Sequence, residues 1–465
     1  VSNDTIWLIK EFELSKYENQ RARLIFKGAW LIADVWLNGG YLGSHEGYFS
    51  PFYFDITDRL EEGKNILAVC LRSPVDLELQ NKIRIEGVYN DWDCKPYPNW
   101  ALGQLVNRDW FTPIGLWREV EIALSGQVTV DLALVKAQID AEEARAEVTL
   151  RVSNRGDKGV TAAVQVEVSG YNFDEEPVMH SFDMTLAPRE KETTTQIIDI
   201  DNPRVWWPWD QGAQNLYNAT VKVYVDDELQ GYQKLRFGIR KVDMSIARGV
   251  NEWRINDRRV FLRGGNYISD FNLSKSDKSK LSNDLDMFRE ANINFVRVHA
   301  HIEPFEFYQA TDELGILVMS DGPFIFAYAN DVSSEEMENF ETNAQQQIIE
   351  MVYLLYNNPS IVLWNVHNEP PWISPWMGDL YNARLNREID LKLHGLVRNL
   401  DPSRPALPSS GDMDEHLYNG WYNGRWEEYK TLAPGFPTEF GAQSLPNAES
   451  PFWDALNITW PPMSK

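Results

Sequence analysis

Two glutamates stand where an α/β chain would carry acid–base chemistry. The apolar run Ile361–Val366 leads directly into His367-Asn368-Glu369-Pro370. The short run Pro437–Phe440 holds Glu439 between Thr438 and Phe440. A carboxylate inside or at the end of an apolar strand is costly unless it is paired or opens onto a mouth. Two of them across one cleft are what cleavage of a glycosidic bond needs. One protonates the leaving oxygen, and the other attacks or activates water. The plain alternative for Glu369 is a carboxylate that caps the next helix, with Pro370 and Pro371 setting the turn. The plain alternative for the pair is two unrelated structural acids.

The surrounding pattern says what must position them. From about residue 240, apolar runs of strand length alternate with helical segments. Val260–Tyr267, Phe295–His299, Ile316–Ser320 and Ile361–Val366 are the clearest runs, and Pro405–Ser410, His416–Trp421 and Pro437–Phe440 follow. Lys278–Ala291, Pro304–Leu314 and Glu335–Tyr356 carry helical periodicity. Strand then helix, repeated, predicts a parallel sheet covered on both faces. Seven strand candidates predict a (β/α)8 TIM barrel over 241–465, apparently truncated before its last unit, with a doubly wound open sheet as the alternative. Such barrels put their chemistry at the carboxyl ends of the strands. Glu369 and Glu439 would then end strands four and seven, across the mouth from one another.

The preceding chain reads as all-β. Over 1–125, short alternating strands and the hairpin signal Asn38-Gly39-Gly40 predict a β-sandwich of jelly-roll type. Its stretch 76–112, with Trp92, Trp100 and Trp110, is irregular, and loops of that length are usually functional or disordered. Over 126–240 a second set of alternating strands suits an immunoglobulin-like β-sandwich, interrupted by Asn202–Trp209 with its two prolines and three tryptophans. The chain opens on Val1 inside strand material and closes at Lys465 without a clear terminal element, so it reads as a fragment cut at both ends.

Composition narrows the partners. The 465 residues carry a net charge of −25, which would repel a phosphate backbone, so nucleic acid is not expected. No apolar run approaches the ~18 residues that a membrane helix needs, so no membrane partner is expected. Cys70 and Cys94 make one bridge at most and leave the redox compartment open. The 18 tryptophans hint at carbohydrate, because aromatic faces stack on the C–H faces of sugar rings, but tryptophan also fills sandwich cores. No GxGxxG follows a strand, and neither a Walker loop nor GxSxG occurs. The seven histidines form no HExxH or similar ligand cluster; His299 and His301 share one face of a strand end and are expected to touch substrate or pack in the core. No metal or other cofactor is expected.

Five segments carry a family resemblance. Asn358-Pro359-Ser360-Ile361-Val362-Leu363-Trp364-Asn365-Val366-His367-Asn368-Glu369 resembles the acid/base signature of glycoside hydrolase family 2. Thr438-Glu439-Phe440-Gly441-Ala442-Gln443-Ser444 resembles its nucleophile segment. Asn294–His299, running on to Asp312–Val318, is similar to its upstream barrel signature. Ala33–Gly39 resembles its sugar-binding domain, and Phe237–Lys241 the junction into its barrel. The resemblance implies the order jelly roll, immunoglobulin-like sandwich, catalytic barrel, and a retaining mechanism. It implies Glu369 as general acid/base and Glu439 as nucleophile. Asn368 would bond the sugar 2-hydroxyl, Arg297 would hold Glu439 ionised, and Tyr418 would bond the nucleophile. A structural ion pair for Arg297 and a packed core tyrosine for Tyr418 are the alternatives. His301 and Trp421 are further candidates for substrate contact.

The sugar is less legible. Gly441–Pro446 is more like the β-mannosidase branch, His301–Tyr308 is similar to the exo-β-glucosaminidase branch, and Tyr418–Tyr422 resembles β-glucuronidases. The expectation is a β-mannosidase-like exo-enzyme acting on a carbohydrate, with β-galactosidase, β-glucuronidase or exo-β-glucosaminidase as alternatives. A non-catalytic carbohydrate-binding protein is the competing class. Oligomeric state and location are not readable.

Overall fold

The computed structural model describes residues 4–15, 20–74, 82–90, 114–140, 143–247, 250–270, 273–373, 383–411, 416–420, 424–431 and 436–441. Trp92, Cys94, Trp100, Trp110 and Trp421 lie outside these residues.

The first sandwich packs an antiparallel sheet, ordered 4–14, 63–73, 32–37, 40–46, on a second one, ordered 52–55, 21–26, 120–125. Alternate residues Ala22, Leu24 and Phe26 point inward, as a period of two requires, and meet Val35, Leu37, Val69 and Leu71. The second sandwich joins the sheet 128–140, 143–154, 191–201 to the sheet 178–186, 160–170, 217–225, 228–237. Its core is mostly valine and alanine from the same alternation, with Tyr217 and Phe237 stacked at 5.4 Å.

The barrel follows. Its strands are β1 (Gly264–Tyr267), β2 (Phe295–Val298), β3 (Leu317–Ile325), β4 (Ile361–Asn368), β5 (Ala406–Leu407), β6 (His416–Leu417) and β7 (Glu439–Phe440). Strands β1 to β5 form one parallel sheet in chain order, and β6 pairs with β7 in parallel. Every residue of β3 and β4 is buried, which is why these strands read as unbroken apolar runs. Helices α1 (Lys278–Glu290), α2 (Phe305–Leu314), α3 (Ser334–Leu355) and α4 (Ala383–Leu400) alternate with them. Asp277 caps α1 by accepting from the Lys280 amide at 2.9 Å, and Ser333 with Glu336 forms a capping box on α3.

One expected strand divides. Within 260–267, Val260 belongs to an antiparallel sheet of Val242–Ala247, Val250–Ile255 and Arg258–Val260, and only Gly264–Tyr267 enters the barrel. Asn256 and Asp257 both take positive φ (50° and 63°), the requirement of a tight two-residue hairpin. This small sheet closes the amino-terminal end of the barrel. Its Trp253, Ile255 and Val260 pack on Phe295, Leu317, Met319, Val362 and Leu363. Among the described residues no strand lies between β1 and β7. A cleft of about 720 Å³ runs there, past Asn266, Arg297, Phe436 and Glu439.

The aromatic interruption at 202–209 is the clamp between second sandwich and barrel. Trp206 is fully buried and donates to the Asp312 carbonyl at 2.8 Å, and Trp209 donates to the Ile293 carbonyl at 3.0 Å. Gly315 ends α2 in the left-handed region (φ 72°), where a Cβ would stand 2.6 Å from the Trp209 nitrogen. Arg240, at the junction, donates to the carbonyls of Pro359 (2.9 Å) and Ile361 (2.8 Å) at the foot of β4. Asp312 ties α2 to the same foot through Asn358 Nδ2 (2.6 Å) and the Ser360 amide (3.0 Å). Burial pushes its carboxyl up to about 6, against the pull of Arg236 from the second sandwich.

Two outcomes follow for stability. Gly315→Ala forces a Cβ into a left-handed turn against backbone, and urea unfolding should show a loss of about 1–3 kcal/mol; an unchanged midpoint would refute the clamp. For Asp312, the folded state holds the proton more tightly than the unfolded one. Its stabilising contribution is therefore complete below about pH 4 and is lost as pH rises through about 6, a change of ~3 kcal/mol. Asp312→Asn should flatten that part of the stability–pH curve, and an identical curve would refute the assignment.

Candidate active site

Arg297, near the end of β2, is 1% exposed and carries its charge into the barrel interior. Its guanidinium meets Asp321 of β3 two-pronged, with Nε 2.9 Å and Nη2 2.7 Å from Oδ2. Nη2 also donates to Asn368 Oδ1 at 2.7 Å, and Nη1 to Glu439 Oε1 at 2.7 Å. One fork thus fixes side chains from β3, β4 and β7. Asp321 is held in turn by the Ala300 amide (3.0 Å) and Asn365 Nδ2 (3.1 Å).

Glu439 opens β7, and both its oxygens are occupied. Oε1 takes bonds from Arg297 and from His299 Nε2 at 3.2 Å, and Oε2 takes the Tyr418 hydroxyl. Burial pushes this carboxyl up, but the His299 bond and the Arg297 charge outweigh it and hold it well below the usual range. Burial, with the contact to Glu439, pushes the Tyr418 hydroxyl far up.

Glu369, just beyond β4, stands in contrast. Its backbone is left-handed (φ 48°), a conformation costly for a glutamate. Its amide donates to Ser410 Oγ at 3.3 Å, and its Oε1 lies 2.7 Å from His416 Nδ1. It caps no described helix, since the next one begins at Ala383. An oxygen of Glu369, an oxygen of Glu439 and a nitrogen of His416 all lie within 4.8 Å of one another. Asn368 accepts at Oδ1 from Arg297 and from Ser410 Oγ (3.0 Å), and its amide nitrogen bonds none of the described residues.

The candidates read from sequence separate here. Glu369, Glu439, Asn368, Arg297 and Tyr418 converge on one mouth. His301 does not join them. It is fully buried behind that mouth, with Nε2 2.8 Å from Glu303 Oε1 and Nδ1 2.9 Å from the His299 carbonyl. Burial disfavours its charge, but Glu303 more than compensates and raises its proton affinity. Trp421 lies outside the described residues. Sequence reasoning gave no role to Asp321, Ser410 or His416 and left His299 open. Asp321 carried the same signal as Glu439, a charge set in an apolar strand, and could have been found by it.

The first sandwich buttresses the mouth. Its Tyr48 hydroxyl accepts from the Ile302 amide at 2.9 Å, and the Val88 amide donates to the Ala300 carbonyl at 3.1 Å. Gly87 (φ 56°) permits that approach, since a Cβ there would stand 1.9 Å from the Ala300 oxygen.

Two β-sandwiches leading into an α/β barrel, with paired carboxylates just beyond β4 and at the start of β7, define a known class of chain. The model "Glycosyl hydrolase 2 galactose-binding domain-like" matches residues 1–106, "Glycosyl hydrolases family 2" matches 128–240, and "Glycosyl hydrolases family 2, TIM barrel domain" matches 249–434. The chain belongs to glycosyl hydrolase family 2. It is 29% identical to a mannosylglycoprotein endo-beta-mannosidase of Lilium longiflorum, over 98% of this chain and 52% of that protein. It is 26% identical to an exo-beta-D-glucosaminidase of Amycolatopsis orientalis, over 76% of this chain and 33% of the relative. The solved structure of a putative beta-galactosidase from Bacteroides fragilis shares the fold with a TM-score of 0.74 at 20% identity, covering 92% of this chain and 61% of that one. A Bacteroides uniformis beta-glucuronidase does so at 0.74 and 17%, covering 92% and 50%. The chain spans about half the length, or less, of the curated relatives it matches.

Removing the fork should be costly. Arg297→Ala leaves Asp321 and Glu439 without their shared cation, and urea unfolding should register a loss of about 3–5 kcal/mol. A loss below about 1 kcal/mol would mean that the carboxylates do not depend on Arg297.

Proposed function

We infer that the chain carries retaining β-glycosidase chemistry, with Glu369 as general acid/base and Glu439 as nucleophile. The observation that carries this reading is the unequal pair itself. Carboxylate oxygens within 4.8 Å of one another suit the ~5–5.5 Å carboxyl separation of retaining enzymes better than the wider gap that admits a water. One member is held ionised by Arg297 and His299, and the other has a single histidine contact.

The two steps use that inequality. Glu369 gives its proton to the glycosidic oxygen as the bond to the anomeric carbon breaks, and Glu439 forms an ester with that carbon. The ester consumes the charge of Glu439. Glu369, now a carboxylate, takes a proton from water, and the water oxygen displaces Glu439. The amide nitrogen of Asn368, left without a described partner, is placed to donate to the sugar 2-hydroxyl. Tyr418 and Arg297 hold Glu439 on its line of attack.

The substrate reading is a β-mannoside, with the sugar taken from a chain terminus. The Gly441–Pro446 segment and the Lilium relative support mannose. That relative is an endo-beta-mannosidase, which favours a second reading, internal cleavage of a longer mannose-containing glycan.

A panel of nitrophenyl β-glycosides (mannoside, galactoside, glucuronide and glucosaminide) tests this, with Glu439→Ala as control. Hydrolysis of the mannoside, abolished in Glu439→Ala, is the expected result. Glu369→Ala should lose roughly 10²–10⁴-fold on substrates whose leaving group needs a proton, and much less on a 2,4-dinitrophenyl glycoside. Hydrolysis of a mannose-containing oligosaccharide alone would favour internal cleavage. A folded chain inert on all of them would move the reading to a carbohydrate-binding protein.

A further inference from the structure

His416 is part of the mouth, yet the two-glutamate scheme assigns it nothing. It starts β6, is mostly buried, and reaches both carboxylates. Nδ1 stands 2.7 Å from Glu369 Oε1 and 3.7 Å from Glu439 Oε2. Nε2 stands 3.1 Å from Thr438 Oγ1, the residue before the nucleophile. The ring is thus fixed at both nitrogens.

The charged groups facing the ring are Glu369 beyond β4, Glu439 of β7 and Arg297 of β2; the Tyr418 ring, just beyond β6, lies 6.2 Å away. Burial works against a charge on the ring, but the bond to Glu369 and the two carboxylates outweigh it and raise its proton affinity. A carboxyl and an imidazole 2.7 Å apart share one proton, and the pair binds that proton more tightly than the carboxyl would alone.

This creates a use. A general acid must still hold its proton near neutral pH, where an ordinary glutamate has lost it. Resting on the glycosidase reading above, we propose that His416 is a positioning residue for the acid, keeping a proton on the Glu369–His416 bond at neutral pH and fixing the Glu369 carboxyl beside Glu439. In the first step this proton passes to the glycosidic oxygen as its bond to the anomeric carbon breaks and the ester to Glu439 forms. Glu369 is left as a carboxylate beside a neutral imidazole. In the second step the attacking water gives up a proton to Glu369 as the ester bond breaks, and the proton returns to the shared bond. Each turnover consumes one water and leaves the pair with the one proton it began with.

The test compares His416→Asn with the parent across pH, on a 4-methylumbelliferyl and a 2,4-dinitrophenyl glycoside of whichever sugar the parent hydrolyses. For the first substrate the alkaline limb of kcat/KM should move to lower pH by about one pH unit or more, with the neutral-pH loss largely regained on acidification. For the second, which departs without a proton, the loss at neutral pH should be at least about ten-fold smaller. An unmoved limb overturns the proposal. So does an equal loss on both substrates at every pH, which is the mark of a merely structural role. If His416→Asn does not fold, an NMR titration of the histidine rings decides the matter in the intact site. Glu369→Gln should return the His416 titration toward lower pH, and an unaltered titration would overturn the pairing. A parent inert on every glycoside would sink the glycosidase reading and this proposal with it, whereas an active parent with an unmoved limb would sink the proposal alone.

Discussion

A buried guanidinium organises the mouth of this barrel. Arg297 has five N–H donors in a rigid fork and no route to neutralise itself, so it must be surrounded by acceptors wherever it is buried. Asp321, Asn368 and Glu439 are those acceptors, and they come from three further strands. Their positions relative to one another are therefore set by the geometry of one planar group. Two carboxylates lean on a single cation, and the donors that complete Glu439 come from His299 and Tyr418.

The two sandwiches matter because a fork of this kind tolerates little slack. The second sandwich grips the outer ends of the strands through Trp206, Trp209, Arg240 and Arg236, which reach the α2 end, the turn before β2 or the foot of β4. The first sandwich presses on the opposite end, where Tyr48 and Val88 take up backbone groups at the close of β2. His301 and Glu303 lie in that second layer, a buried pair joined to Ser269 rather than to the open mouth. His301 ties Glu303 to the His299 carbonyl, and the His299 ring in turn bonds Glu439.

Environment, not residue type, separates the two glutamates. Glu439 takes three hydrogen bonds, two on Oε1 and one on Oε2, and a carboxyl so placed stays ionised despite its burial. Glu369 sits on a left-handed backbone at the rim with a histidine as its main partner. A nucleophile and an acid need this difference, and strain of that kind persists only where the surrounding structure over-determines it.

The sequence by itself determined the architecture and the two carboxylates. Periods of two over the first half and unbroken apolar runs after residue 240 report burial on one face or on both, and burial is what side-chain polarity encodes directly. Glu369 and Asn368 were legible as polar groups where an apolar strand ends, and Glu439 as a charge set inside a short apolar run. Arg297 was legible only through the family resemblance, and its fork onto Asp321 was not legible at all. The hairpin at 256–257 was equally hidden, because Val260 is apolar in either arrangement and only the turn decides which sheet it joins. His301 and His416 show the limit most clearly. Both are histidines beside strand ends, and one is sealed against Glu303 while the other bridges the two glutamates. Polarity and spacing state that a side chain needs a partner. Which partner it meets depends on contacts between residues tens of positions apart, and only the closed barrel brings those together.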